Sequence, residues 1–154
     1  MRAEGAISVK AVIQGGKREV QEVFLRKDRK TKDFSYIRKI CRMNGIKTNE
    51  MSAEELEELA CGRSHGGVLA EVSSRKQDEF CEGDIFFLDG IEDPYNLGYA
   101  LRTLYAFGVK NVLVNDRDYS VMETQLLKSS AGACEFLNIR IAKDPANIIK
   151  NLKE

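Results

Sequence analysis

From residue 84 onward the chain keeps a strict rhythm. DIFFLDG reads as a strand, 96–107 as a helix, KNVLVN (110–115) as a strand, 121–129 as a helix and EFLNIRIA (135–142) as a strand. Asp144-Pro145 then opens a last helix with proline at its first position. Strands alternating with helices mean β-α units and a mainly parallel sheet, so this half is α/β. Ligands of such sheets collect at the C-terminal ends of the strands. Three strands with three helices make a thin domain with at least one sheet edge open, so the chain reads as unfinished: a fragment, a truncated gene product, or half of an assembly.

The front half is organised differently. AISVKAVI (6–13) fits a strand or a helix, because Val9, Val12 and Ile13 satisfy both periods. EVQEVFL (19–25) reads as a strand and 34–43 as a helix with Ile37, Ile40 and Cys41 on one face, stopped by Asn44-Gly45. Ser52 and Glu55 have the spacing of a capping box, with Met51 placed to staple onto Leu56. GVLAEV (67–72) is a short buried strand. The polar stretch SSRKQDEFCEG (73–83) divides two expected domains, 1–76 and 83–154.

Charge separates the halves. Residues 1–47 carry 13 Lys and Arg against 5 Asp and Glu, whereas 81–154 carry 8 against 11. The basic excess, Lys17, Arg18, Arg26, Lys27, Arg29, Lys30 and Lys32, is either a solvated loop region or a cationic face for a polyanion such as RNA. Cys41, Cys61, Cys81 and Cys134 are far apart with no C-x-x-C pair, which argues against a zinc site and a redox pair and for buried, reduced thiols. No metal is expected. No apolar run has a membrane span's length, and the N-terminus lacks a secretory pattern, so a cytoplasmic location is the default.

The stretch DPYNLGYALR (93–102) lies at the end of a strand. Asp93-Pro94 forces a turn, Asn96 is placed to cap the following helix, and Leu97, Leu101 and Leu104 form its packing stripe. Gly98 and Arg102 are one turn apart, so the missing side chain leaves room beside the guanidinium. A helix start, an open floor and an arginine suit a phosphate or ribose-phosphate. The same spacing fits an Asn cap, a packing glycine and an Arg paired to Glu92 or Asp93. Tyr95 and Tyr99 are packing residues or stacking platforms for a base. His65, in RSHGG, reads as a structural loop residue. An unrelated nucleotide-binding domain is disfavoured, because GxGxxG and Walker A loops are absent.

FFLDGIEDPYNLGYALRTLYAFGVKNVLV resembles the first motif of the SpoU, or TrmH, family of RNA ribose methyltransferases, with Asn96, Gly98 and Arg102 at its marked positions. KSSAGACEFLNI (128–139) is similar to the family's Ser-x-Gly-Ala-x-Glu stretch, on Ser130, Gly132 and Glu135. RSHGGVLAEV (63–72) resembles the closing strand of the family's small substrate-binding domain, itself similar to ribosomal RNA-binding proteins.

The resemblance implies transfer of a methyl group from S-adenosylmethionine to a ribose 2′-hydroxyl of rRNA or tRNA, on a homodimer of knotted α/β domains. It places Arg102 in the active site. Arginine is a poor base, so its expected role is to clamp the phosphate beside the target ribose, with Asn96 holding that Arg or the ribose. The family's two S-adenosylmethionine pocket motifs normally follow beyond residue 154. The expectation is therefore the first half of a SPOUT-type domain, unknotted as it stands, with no cofactor-binding residue of its own. An RNA-binding module without catalysis is the alternative.

Overall fold

A computed structural model describes residues 1–62, 64–116 and 119–151, with the side chains of 119–121 left aside. The chain divides into two compact units, Met1–Arg75 and Lys76–Glu154.

The first unit is a mixed four-stranded sheet with helices on both faces. β1 (Arg2–Glu4), β2 (Val20–Arg26), β3 (Lys47–Met51) and β4 (Val68–Val72) lie in the order β1-β4-β2-β3. β3 runs parallel to β2, while β4 is antiparallel to both β2 and β1. Val23, Phe24 and Leu25 are consecutive and all buried, as a strand covered on both faces requires. Phe24 is registered with Leu69, and both pack with Leu56 of α3 (Ala53–Leu59). By alternation Val23 and Leu25 face the other side, where α1 (Ala6–Gly15) and α2 (Lys32–Met43) pack on each other.

The ambiguous 6–13 segment is the helix α1. Ser8, Val9, Ala11 and Val12 are buried in a three-four pattern, and Ile7, which a strand would place beside Val9, is exposed. The capping box forms in full: Ser52 Oγ accepts from Glu55 N at 3.2 Å and Glu55 Oε2 from Ser52 N at 2.7 Å. Met51 packs against the Phe24–Leu56–Leu69 cluster, as the staple requires.

In the second unit β5 (Ile85–Leu88), β6 (Asn111–Asn115) and β7 (Asn138–Ala142) form a wholly parallel sheet with β6 in the centre. Val112, Leu113 and Val114 of β6 are buried in succession, the mark of a sheet covered on both faces. α4 (Pro94–Ala106), α5 (Tyr119–Ser129) and α6 (Pro145–Asn151) follow the three strands' rhythm. The strand expected over 135–142 begins only at Asn138. Ala131 and Gly132 have φ of 51° and 80°, which reverses the chain, and Ala133–Phe136 wind as a 3-10 turn against α4.

One edge of this sheet is partly engaged. Beside β7, Asp78 N donates to Ile139 O at 3.4 Å, Asp78 Oδ2 accepts from Ile139 N at 3.1 Å, and the Arg140 guanidinium sits 5.2 Å from the Phe80 ring centre. Next to it, Cys81 exchanges hydrogen bonds with the fully buried side chain of Asn111 at the start of β6.

All four cysteines are free thiols, but only Cys41 and Cys134 are buried. Cys61 follows α3 and Cys81 lies in the segment before β5, both exposed, so the expectation of four buried thiols is corrected for these two. Burial pushes the Cys41 thiol up to about 11. In the native protein at pH 8 a thiol reagent is expected to modify Cys61 and Cys81 first, and Cys41 and Cys134 only after unfolding. Mass mapping of the modified peptides checks this, and early labelling of Cys41 would contradict its burial.

Candidate functional site

The helix α4 begins where β5 ends, and its first turn is set by Asp93, not by Asn96. Asp93 Oδ2 accepts from Asn96 N at 2.8 Å, and Pro94 takes the first helical position. Asn96 is therefore the third helical residue with its side chain exposed, which corrects its expected place as the cap. Arg102 is exposed two turns on, and among the described residues it has no hydrogen-bond or ion-pair partner. Neither Glu92 nor Asp93 pairs with it, so its charge remains available to a ligand.

Gly98 does not open a floor for Arg102. A Cβ built on Gly98 would stand 1.9 Å from Ser129 Oγ, 2.7 Å from Ser129 Cβ and 2.9 Å from Ser130 N. The space the glycine vacates is already filled by the end of α5. Ser129 Oγ also donates to Pro94 O at 3.1 Å, tying that end to the first turn of α4. Leu97 and Leu101 are buried, and α4 packs against α5 and the 3-10 turn.

Ser130, Gly132 and Glu135 belong to this same clasp. Ser130 Oγ donates to Leu127 O at 3.3 Å and accepts from Cys134 N at 3.4 Å, and Glu135 N donates to Gly132 O at 3.0 Å. Glu135 is fully buried, with the Cys134 thiol 3.8 Å from Oε1. The second sequence motif thus underlies the helix that carries the first. Sequence reading missed Ser129. Its signal was there in the doubled serine of KSSAG, which has no meaning until Gly98 is placed opposite it.

The seven cations singled out in the first unit do not form one patch. Lys17 and Arg18 precede β2, whereas Lys27, Arg29, Lys30 and Lys32 follow it, with Arg26 as its last residue; the strand between spans roughly 20 Å. Arg18 Nη1 donates to Ser73 O at 3.3 Å. Arg26 grips both oxygens of Asp28 at 2.6 and 2.7 Å, which raises Arg26 and holds the Asp28 carboxyl below its ordinary value. Arg29 Nη1 donates to Gly66 O at 2.9 Å, and Thr31 caps α2. These interactions fold the loop and leave Lys27 and Lys30 exposed on it, with Lys32 exposed at the start of α2. His65 is buried: its Nδ1 accepts from Gly67 N at 3.2 Å and its Nε2 faces Glu57 Oε2 at 2.8 Å, a structural tautomer with the proton on Nε2.

At the C-terminal ends of the strands, Asn115 Nδ2 donates to Asp89 Oδ1 at 2.6 Å and Asp116 N to Ala142 O at 2.8 Å. A groove of about 530 Å³ lies at the opposite end, lined by residues that include Asp84, Phe86, Phe107 and Asn111. Among the described residues no group of three metal-ligating side chains occurs, and no helix is long and apolar enough to cross a membrane.

Comparison with known proteins agrees with this architecture. Residues 2–77 match the family described as RNA 2′-O ribose methyltransferase substrate binding, and residues 84–154 match the SpoU rRNA Methylase family. A 23S rRNA (guanosine-2′-O-)-methyltransferase from Vibrio vulnificus is 28% identical over 160 residues, covering 97% of this chain and 65% of its own length. The chain thus spans about 65% of the curated relative it matches. The crystal structure of an RNA 2′-O ribose methyltransferase superposes with a TM-score of 0.75 at 22% identity, covering 99% of this chain and 58% of that one. The SpoU methyltransferase AviRb from Streptomyces viridochromogenes, solved in complex with AdoMet, gives 0.73 at 18% identity, covering 99% and 59%. With its two units matching in turn the substrate-binding and methylase parts of one group of proteins, the chain belongs to the SpoU methyltransferase family.

Proposed function

We propose that this chain is the RNA-gripping and substrate-orienting part of an S-adenosylmethionine-dependent RNA ribose 2′-O-methyltransferase. The observation that carries this reading is an exposed arginine and asparagine on the helix after the first strand of the methylase unit, in a chain whose front unit matches the family's substrate-binding domain. S-adenosylmethionine supplies the methyl group. What this chain contributes is placement: Arg102 clamps the phosphate beside the target ribose, and Asn96 hydrogen-bonds the ribose. The guanidinium stays protonated, so it orients the hydroxyl and does not take its proton. Ribosomal RNA is the substrate class, and the 23S rRNA guanosine of the curated relative is the first to test. The protein acts in the cytoplasm as a homodimer.

Lys27, Lys30 and Lys32 supply sequence-independent attraction to the RNA backbone, with Lys17 and Arg18 a second, separate anchor. Replacing all three lysines with alanine is expected to flatten the slope of log affinity against log salt by about 2, since each neutralised phosphate contributes about 0.7 on single strands. Titrations of an rRNA fragment at several salt concentrations check it, and an unchanged slope removes the loop from the interface.

The reaction is tested by following labelled methyl from S-adenosylmethionine into rRNA. Label at an alkali-resistant ribose supports the proposal, and label on a base overturns the reaction class. A folded chain that binds RNA and transfers nothing leaves the binding module without catalysis.

A further inference from the structure

Tyr95 and Tyr99 lie exposed on α4. They are 51% and 56% exposed, and among the described residues their hydroxyls make no hydrogen bond. At about 100° per residue, positions 95, 99 and 102 fall within roughly 60° of one another on the exposed side of α4. Two phenol rings and a guanidinium therefore line one stripe of the helix, with Asn96 at its flank. We propose that Tyr95 and Tyr99 clamp one unpaired RNA base, while Arg102 holds the phosphate of the same nucleotide. This rests on the RNA methyltransferase reading above and names the form of RNA it takes: single-stranded or looped at the target.

The spacing decides for one base over a stacked run. Side chains four apart on a helix start about 5–6 Å from each other. Successive stacked bases are only about 3.4 Å apart, so the two rings do not match two neighbours in a stack. One base held between two rings needs them about 7 Å apart, twice the stacking rise, which a small splay of the tyrosines provides. Every base offers a π-face, so the clamp tolerates sequence and selects for an unpaired state. Charge sets the polarity. Glu92 and Asp93 are exposed at the start of α4 and Arg102 lies further along, so the phosphate lies toward Arg102.

The chain has no tryptophan and five tyrosines, so tyrosine emission reports directly on stacking. The experiment compares an RNA hairpin with unpaired loop bases against a duplex of equal length, binding to the full chain. Y95A/Y99A is expected to weaken hairpin binding about 5- to 150-fold, the range for one stacked base, and to leave duplex binding unchanged. Y95F/Y99F keeps the rings and is expected to bind as the unsubstituted chain does. Hairpin affinity unchanged in Y95A/Y99A overturns the clamp. So does a shift from dimer to monomer in sedimentation with RNA affinity intact, which assigns this face to a second copy. If the unsubstituted chain binds neither RNA, the broader reading fails and the clamp falls with it, an outcome distinct from failure of the clamp alone.

Discussion

Gly98→Ala is expected to cost the second unit about 3 kcal/mol, at the upper end of what overpacking usually costs. The added methyl meets Ser129 Oγ, Ser129 Cβ and the Ser130 backbone nitrogen at 1.9, 2.7 and 2.9 Å. The first of these is a side-chain tip and can rotate away. The last is backbone at the end of α5, held by Ser130 N donating to Leu126 O at 3.0 Å, so α4 and α5 must separate to make room. Urea unfolding followed by circular dichroism reads the loss. Ser129→Gly placed in the same chain removes two of the three clashes and is expected to recover only part of it. Full stability in Gly98→Ala would show that the helices part freely, and the clasp would then not fix α4.

Arg102→Ala carries the other large effect. If Arg102 is the proposed phosphate clamp, its removal lowers methyl transfer by about 10²–10³-fold, the usual scale for losing a group that positions or stabilises the reacting centre. On the proposed reading RNA binding falls far less, since Arg102 would neutralise a single phosphate while the cations of the front unit would hold others. The fold is untouched, because Arg102 is exposed and unpaired among the described residues. Arg102→Lys is expected to restore little, for a lysine cannot present two parallel N–H donors. Single-turnover transfer and RNA affinity, measured on the same samples, separate the two quantities. Transfer at the unsubstituted rate in the alanine variant would remove Arg102 from the mechanism.

Local signals were the legible ones. The capping box at Ser52, the Ile37–Ile40–Cys41 face and the alternation after residue 84 all act over a few residues, and each formed as read. β3 escaped because KTNEM is polar and carries no alternation. It is an edge strand, held by its parallel register with β2 and not by an apolar face. β1 has only three residues, too few for a period. Asn96 competed with Asp93 for the same cap, and the proline after Asp93 decided for the latter. Gly98 was misplaced for a deeper reason. A glycine's purpose lies in what approaches it, and here that is Ser129, a full helix and strand further along the chain.

The segment before β5 changes what counts as the smallest separable piece of this protein. A fragment begun at residue 84, where the methylase match starts, would keep every strand of the parallel sheet and yet lose Asp78, Phe80 and Cys81. The main chain of β7 at Ile139 would then face water unpaired, and the buried Asn111 amide would lose its partners on Cys81. A bare strand edge beside a loosened polar core is a template for self-association. Such a fragment would be prone to aggregate for reasons unrelated to its own folding, because the short run from Asp78 to Gly83, which reads as mere linker, is what pairs that edge and the Asn111 amide.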